Sequence, residues 1–243
     1  MRTGNIDLSV APYTTDADLV ITPRLVFDHP LIENLLFHAE FVQEENPGMW
    51  FKMIAIDNQN VRVELDIMVP STLVASGGRR SARIPPHDKM VARKVTGLEG
   101  AVFDFDLMQI ASFDSSDDRR FLVRVAGPAA LLIAKTHKVR DRIVEGNQGR
   151  IAEKDAADIF RLMIATPMPE ILSRLEPLLS NETSAESCRD GLVALKGLFG
   201  ARRAIGVVMA SNSLRVGVPA DRIADVCTSF VRELITHLGV EIP

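Results

Sequence analysis

The sequence predicts an α+β protein, in which a mixed sheet of about five strands, flanked by helices, is followed by an all-helical C-terminal part. Short segments between residues 16 and 125 alternate apolar with polar residues, which is the pattern of half-buried strands. From residue 128 onward, apolar residues recur at three and four positions, which indicates amphipathic helices. With 243 residues and 47% hydrophobic content, the chain is long enough to bury a substantial core.

Composition excludes several classes of protein. A formal net charge of −4 gives no global attraction to nucleic acid or to an anionic membrane. The chain has no apolar run of the ~18 residues that a spanning helix needs, and its N-terminus lacks the apolar core of a signal peptide. Cys188 and Cys227 lack metal-ligand spacing, so we interpret them as reduced thiols. These features predict a cytoplasmic protein without membrane contact.

The first strand carries two carboxylates at the start of the apolar run Leu19-Val20-Ile21. Alternate side chains of a strand share a face, so Asp16 and Asp18 are expected on the same side. Carboxylates on one face repel each other unless they are neutralised, and the usual agent is a divalent cation with oxygen ligands. The segment therefore predicts a magnesium site.

A second acidic strand follows a helix predicted over residues 31–41, with Pro30 at its first position. In residues 61–69, apolar side chains occupy every odd position and Asp66 lies on the polar side. Residues 50–56 and the turn 57–60 predict a hairpin that brings this strand beside the first one. Asp66 is therefore expected as the third carboxylate of the magnesium site.

The stretch 76–94 is basic and leaves two interpretations open. It is either a solvated flexible loop running into an amphipathic helix, or a contact for phosphate or nucleic acid. Stacking on single-stranded nucleic acid is not indicated, because no aromatic residues are interleaved. Two further strands near 108–113 and 121–125 are expected to pair as a hairpin and to complete the sheet. The basic and titratable residues of the stretch are Arg79, Arg80, Arg83, His87, Lys89, Arg93 and Lys94.

A helix is predicted from Pro128, and it places Lys135, Lys138 and Arg142 on one face. A solvated helix surface is the alternative explanation for these cations. Lys135 lies within an apolar portion of the helix and needs an anionic partner there. The next helix, 151–165, carries Asp155, which is either a first-turn acid favoured by the helix dipole or a site residue.

The rest of the chain reads as helices near 169–180, 185–199, 202–211 and 219–238, without a chemical motif. We interpret it as a bundle that packs on the catalytic part or forms an oligomer contact. The predicted domains are an α/β core over 1–127 and a helical region over 128–243. Within the latter, 128–165 is expected to complete the site and 166–243 to form the bundle.

Several of these motifs resemble a known family. The pattern T-x-D-x-D at 14–18, followed later by a single Asp in an apolar strand, is similar to the nucleotidyltransferase superfamily to which DNA polymerase β belongs. The stretches LLIAKTHK (131–138) and EKDAADI (153–159) resemble the third and fourth motifs of its AbiEii-type branch, found in abortive-infection toxins. The resemblance covers roughly residues 1–165, and the ordered set of motifs carries it.

The resemblance implies transfer of a nucleoside monophosphate from a nucleoside triphosphate to an acceptor hydroxyl, with two magnesium ions. It makes Asp16, Asp18 and Asp66 the metal ligands and gives Asp155 the role of positioning the acceptor or acting as base. The substrate-binding residues that it implies are Thr15, Lys135, Lys138, Arg142 and Lys154. RNA, a protein side chain and a small molecule remain open as acceptors, and a partner antitoxin is implied if the protein is a toxin.

The family also carries a Gly-Gly or Gly-Ser turn upstream of the first acidic strand, and this chain has only Gly4 followed by Asn5. Two explanations stay open: the start codon was assigned too far downstream, or the protein has lost part of its phosphate-binding site. Two other functions are therefore kept beside the enzyme. One is a catalytically degenerate binding or regulatory protein on the same fold, and the other is a metal-dependent hydrolase of unrelated fold.

Overall fold

The computed structural model describes residues 16–56, 58–75, 80–112, 116–146 and 150–239. These residues belong to two compact units, which we call the sheet unit (16–99) and the helical unit (100–239). The predicted fold class is confirmed: a mixed five-stranded sheet is flanked by a helix, and the C-terminal part is helical.

The sheet unit contains helix α1 (Ile32–His38) and a sheet whose strand order is β1-β4-β3-β2, with β5 paired to the end of β4. Strand β4 runs parallel to β1 and antiparallel to β3, so the expected hairpin and the expected pairing of the two acidic strands are both confirmed. The strands are β1 (Asp16–Val20), β2 (Val42–Gln43), β3 (Met49–Ile56), β4 (Gln59–Pro70) and β5 (Arg93–Val95).

One face of this sheet is buried. Leu65, Ile67 and Val69 of β4 lie in a core with Trp50, which is 1% exposed. The Trp50 indole donates a hydrogen bond to the Val91 carbonyl at 3.1 Å, which ties β3 to the segment before β5. Burial of one face fixes the strand register, because a slip of one residue would move every apolar side chain to the opposite side. The polar residues of β1 and β4 are therefore held on the other face.

Two local predictions for this unit are wrong. Residues 80–92 do not form an amphipathic helix; instead they run as turns and extended chain and bury Ala82, Ile84, Val91 and Ala92 in the core. The prolines at 85 and 86 prevent a helix there, since proline removes a backbone donor and disfavours helical conformation in the residue before it. Helix α1 begins at Ile32 rather than at Pro30, and Leu31 is the extended residue before it.

The helical unit begins with a second hairpin, β6 (Phe105–Ala111) and β7 (Arg120–Ala126). This hairpin was expected from the sequence, but it forms its own two-stranded sheet instead of completing the larger one. The two strands that complete the five-stranded sheet are instead β2 and β5. The helices that follow are α2 (Pro128–Val144), α3 (Arg150–Ala165), α4 (Met168–Ser180), α5 (Ala185–Phe199), α6 (Ile205–Leu214) and α7 (Ala220–Leu238).

Helix α2 begins at Pro128, as predicted. Its N-terminus is capped by the carboxylate of Asp104, a residue that is distant in sequence. The Ala130 backbone amide donates to Oδ2 of Asp104 at 2.9 Å, and Arg174 donates to its Oδ1 at 2.9 Å. Hydrogen bonds to Asp104 and then Asp106 raise the pKa of Arg174. Gly127 precedes the helix and leaves room for this carboxylate, since a Cβ atom there would lie 1.8 Å from Oδ1 of Asp104. Among the described residues, no helix is long and apolar enough to cross a membrane.

Candidate functional site

Four carboxylates lie on one face of two neighbouring strands. The register places Asp16 opposite Glu64 and Asp18 opposite Asp66. Partners in a parallel pair point to the same side of the sheet, and the strands lie about 4.8 Å apart. Asp16 and Asp18 are exposed, whereas the Asp66 side chain is 21% exposed. We call this surface the acidic face, and its backbone arrangement is the one that the sequence pattern indicated.

Both carboxylates contributed by β4 already have arginine partners. Arg93 Nη2 lies 2.5 Å from Asp66 Oδ2, and Arg62 Nε donates to Glu64 at 2.8 Å. The Arg62 guanidinium also stacks on the Phe51 ring, 3.9 Å from its centroid. Sequence reasoning missed the Arg93 pair, because it depends on β5 joining β4 beyond the end of β3. The acidic face is therefore partly neutralised by the protein itself.

The side chains of the acidic face do not form a ready-made site for a divalent cation. In the described part of the chain, no group of three or more His, Cys, Asp or Glu side chains is arranged to hold a metal ion. The Asp66 carboxylate is turned toward Arg93. Asp18 and Asp66 are direct register partners, and carboxylate oxygens are the ligands that magnesium prefers. A cation shared by Asp18 and Asp66 would require Asp66 to turn away from Arg93.

A second charged cluster lies between α2 and α3 of the helical unit. Asp155 Oδ1 is 3.4 Å from Lys138 Nζ and 3.8 Å from Lys135 Nζ, and Arg142 also forms an ion pair with this carboxylate. Lys135 Nζ donates to Asp158 Oδ2 at 2.8 Å. Three of the predicted cations, Lys135, Lys138 and Arg142, thus meet at the predicted Asp155. The anionic partner expected for Lys135 is confirmed.

The position of Asp155 in its helix excludes the first of the two earlier explanations. Helix α3 begins at Arg150, so Asp155 lies beyond the first turn, where the helix dipole has its effect. Its side chain is 7% exposed, and three cations surround it. The first-turn explanation is therefore wrong, and the compensation of Asp155 comes from α2.

Arg161 is a member of this cluster that sequence reasoning missed. Its Nη1 donates to Asp158 at 2.7 Å, its side chain is 6% exposed, and its buried Nε has no hydrogen-bond partner among the described residues. The i,i+3 spacing from Asp158 was the available signal. We call this set the basic cluster: Lys135, Lys138, Arg142 and Arg161 around Asp155 and Asp158. Its four cations exceed its two carboxylates, which leaves a local excess of positive charge.

The remaining predicted residues contribute less to either cluster. Lys154 lies on α3 with an exposed side chain, and Thr15 and Arg79 lie outside the described residues. Cys188 and Cys227 are buried and form no disulfide bond, in agreement with their interpretation as reduced thiols. Burial raises the pKa of Cys227 to about 12, which makes it a poor nucleophile at neutral pH.

Comparison of the chain with protein-family models, curated proteins and solved structures gave no match. The resemblance to nucleotidyltransferases therefore depends on the sequence motifs alone.

Proposed function

We propose that this protein is a magnesium-dependent nucleotidyltransferase, which moves a nucleoside monophosphate from a nucleoside triphosphate to an acceptor hydroxyl. The observation that carries the proposal is the parallel pairing of β1 with β4, which sets Asp18 directly opposite Asp66. Two aspartates from separate strands on one face are a suitable starting point for binding cations with oxygen ligands. The sequence order of the four motifs supports the same assignment.

In this proposal Asp16, Asp18 and Asp66 hold the magnesium ions. Bound there, magnesium would neutralise charge on the triphosphate and help deprotonate the acceptor hydroxyl. The protein's part is to keep the carboxylates on one face, which the buried core on the opposite side of the sheet enforces. The carboxylates must also be accessible, and Asp16 and Asp18 are exposed.

The basic cluster supplies charge of the opposite sign. The side chains of Lys135, Lys138 and Arg142 are 26%, 44% and 23% exposed, so they can reach an anion while their carboxylate partners hold them in place. We propose that they bind the triphosphate, which phosphate-binding lysines and arginines commonly do. Because Asp155 contacts all three, we assign it the role of positioning these cations rather than that of a base.

The biological setting implied by the resemblance is that of a cytoplasmic toxin with an antitoxin partner. RNA and protein hydroxyls are the acceptors that we propose to test first, and the C-terminal helices are a candidate contact between copies. The toxin setting and the acceptors follow from the resemblance alone, and the contact between copies follows from the helical pattern of the C-terminal part. The test below is therefore designed so that the acceptor does not have to be known in advance.

The test is label transfer from each of the four nucleoside triphosphates, labelled at the α-phosphate, in a magnesium-containing cell extract. We expect label to enter a macromolecule with release of pyrophosphate, and ribonuclease or protease treatment then identifies the acceptor. Asp18→Asn and Lys135→Ala should each reduce transfer by about 100-fold or more. Asp221→Asn is the control, since Asp221 is 93% exposed and pairs only with surface Arg202 in the described contacts. Release of orthophosphate instead of pyrophosphate would indicate a hydrolase.

One observation favours a second function, a binding or regulatory protein with the same fold. The ion pair between Arg93 and Asp66 occupies the third proposed metal ligand. If this pair persists in the presence of magnesium, the protein would bind a nucleotide through the basic cluster without transferring it. Magnesium-independent nucleotide binding, together with the absence of label transfer in every extract, would support this function over the enzyme.

A further inference from the structure

We propose that the β6–β7 hairpin of the helical unit pairs with the same hairpin of a second copy of this chain, through the outer edge of β6. The two hairpins would form a four-stranded antiparallel sheet about a twofold axis, which is the closed arrangement of most dimers. The hairpin belongs neither to the acidic face nor to the basic cluster, so this contact does not depend on the proposed function. Its exposure, its charge and its backbone register all favour a second copy as the partner.

The hairpin exposes large apolar side chains on both of its strands. All of them except Met108 are more than half exposed, and the set is Leu107, Met108, Ile110, Phe121 and Leu122. A sheet of two strands is only marginally stable in water, and three or more strands with an apolar face are usually needed. Among the described residues, no third strand pairs with this hairpin. Its surface therefore has the character of one that a partner covers.

The two strands differ in charge, and this difference selects the edge. Residues 107–111 of β6 carry no charge, although proteins usually protect an exposed edge strand with charged residues or proline. Strand β7 carries Arg120 and Arg124, and Arg119 directly precedes it. Pairing through β7 would bring the arginines of both copies together, whereas pairing through β6 leaves them on the outer strands. The outer strands are then three strand spacings apart, about 14 Å, which exceeds the Debye length of about 8 Å at physiological salt.

The backbone of β6 offers hydrogen-bonding groups at its outer edge. Asp104 continues the register opposite Gly127, and the Gly127 amide donates to the Asp104 carbonyl at 2.7 Å. Hydrogen-bonded and non-hydrogen-bonded pairs alternate along an antiparallel ladder, so the backbone of Met108 is also bonded to β7. The amide and carbonyl groups of Leu107 and Gln109 then point away from β7. No hydrogen bond between described residues occupies that side of β6 at these two positions.

These outward groups define how two copies would pair. In an antiparallel pair centred on Met108, Leu107 of one copy lies opposite Gln109 of the other, so their amides and carbonyls bond in both directions. Met108 then lies opposite the same residue of the second copy, at a non-hydrogen-bonded pair. Because Val123 is the register partner of Met108 on β7, an apolar row of four side chains would cross the sheet.

Asp106, the one charged residue of β6, does not oppose this pairing. Nη2 of Arg174 donates to both of its carboxylate oxygens, at 3.0 and 3.2 Å. In the register centred on Met108 it lies opposite Ile110, so no like charges face each other. One strand from each copy makes a small interface, which is typical of weak or transient association. We therefore expect a dissociation constant of roughly 10 µM.

The experiment introduces one cysteine into the full chain and follows the formation of a disulfide between two copies. Cys188 and Cys227 are buried, so the introduced thiol is the accessible one. The Cα atoms of a non-hydrogen-bonded pair are about 4.5 Å apart, which a disulfide can span. Met108→Cys should crosslink at least about tenfold faster than Leu122→Cys on the outer strand. The control is strict, because Leu122 is 67% exposed and Met108 only 39%, so random collisions would favour position 122.

Sedimentation velocity measures the association without crosslinking. The dimer fraction of the parent should rise with protein concentration, and Met108→Lys should weaken the dimer by about tenfold or more, because two like charges would face each other. Leu122→Lys adds the same charge on the outer strand and should change the affinity by less than about twofold. Circular dichroism checks that both variants are folded. Hydrogen exchange of residues 105–111 should also be slower in concentrated than in dilute parent protein.

Four results would overturn the inference. A parent that stays monomeric at every soluble concentration has no such contact. A dimer in which Met108→Cys crosslinks no faster than Leu122→Cys is formed elsewhere, for example through the C-terminal helices. Protection of residues 105–111 that does not depend on protein concentration would mean that another part of the same chain covers the edge. Association that grows beyond the dimer and is equal in the two lysine variants would be non-specific aggregation.

Discussion

The sheet unit and the helical unit differ in how their carboxylates are exposed and paired. On the acidic face, carboxylates from β1 and β4 line an open surface, and the aspartates of β1 are exposed. In the basic cluster, two carboxylates are enclosed by four cations, and Asp155 and Arg161 are nearly buried. The first arrangement has an excess of negative charge and the second an excess of positive charge.

This difference follows from the geometry of the two kinds of secondary structure. A sheet with one buried face must present its polar side chains in rows on the other face, so like charges become neighbours. Two packed helices instead bring side chains of both signs together along their contact, where each must find a partner because burial of a lone charge is costly. We therefore expect the acidic face to contribute little to stability and the basic cluster to contribute much.

The chain offers separate probes for the two units, so this expectation can be tested directly. Its single tryptophan, Trp50, lies in the core of the sheet unit. Far-ultraviolet circular dichroism is dominated by helices, and α2 to α7 all belong to the helical unit. Urea unfolding followed by both signals measures each unit where the two transitions do not coincide.

The largest expected effect is that of Asp155→Asn. The substitution removes the carboxylate that compensates Lys135, Lys138 and Arg142. We expect a loss of about 3 kcal/mol in the free energy of unfolding of the helical unit, the low end for breaking a buried ion pair, because the cations are partly exposed. The circular dichroism transition should move to lower urea, with no change in the Trp50 transition.

Asp221→Asn is the control for Asp155→Asn. It makes the same chemical change in the helical unit, at an exposed ion pair with Arg202. Such pairs contribute about 0–1 kcal/mol. Equal destabilisation by the two variants would contradict the proposed difference between enclosed and exposed carboxylates.

The next effect concerns the cap of helix α2. Gly127→Ala would place a Cβ atom 1.8 Å from Asp104 Oδ1 and displace the carboxylate that binds the Ala130 amide and Arg174. We expect a loss of about 2 kcal/mol in the helical unit, typical of overpacking. Gly197→Ala in α5 is the matched control, since no atom lies within 4 Å of the added methyl. It should stabilise the unit by up to about 1 kcal/mol through helix propensity.

The sequence predicted those parts of the fold that are long and regular. Helix α5 has the predicted bounds 185–199, and the β3–β4 hairpin was expected from its alternation. Strands β2 and β5 were missed because they contain two and three residues, too few to show a period. The five-stranded sheet was therefore expected, but two of its strands were assigned to the wrong segments.

The candidate sites show the same limit. Asp16 and Asp18, or Lys135 and Lys138, share one element, so their common face follows from its periodicity alone. Arg93 meets Asp66 only because β5 pairs in parallel with the end of β4, and no local pattern encodes that pairing. Asp155 looked like a first-turn acid because its burial depends on the packing of α3 against α2.

A smaller effect is expected from Cys227 at high pH. Burial raises the pKa of its thiol from 9.0 to about 12 in the folded protein. The unfolded chain therefore loses this proton at lower pH than the folded one, so stability falls as pH rises from about 9 to about 12. The loss should be about 1.4 kcal/mol at pH 10, one unit above the unfolded pKa.

The measurement is the free energy of unfolding of the helical unit at pH 8 and pH 10, for the parent and Cys227→Ala. All other side chains are the same in both proteins, so the difference between the two pH profiles isolates the thiol. The pH-dependent loss should be smaller in the variant. Parallel profiles would mean that Cys227 does not differ between the folded and unfolded states.

The smallest effect is expected from Asp18→Asn in the absence of metal, and it completes the comparison with Asp155→Asn. Asp18 is exposed on the acidic face, so water screens its interactions with Asp66 and with its other neighbours. We expect the Trp50 transition to move by no more than about 0.5 kcal/mol in either direction, as for most surface substitutions. By comparison, replacing Asp155 by asparagine is expected to lower the free energy of unfolding of the helical unit by about 3 kcal/mol. A loss above about 2 kcal/mol from Asp18→Asn would instead mean that the sheet depends on this carboxylate for its structure. The acidic face would then be a structural network, and its aspartates would no longer be candidates for binding a cation.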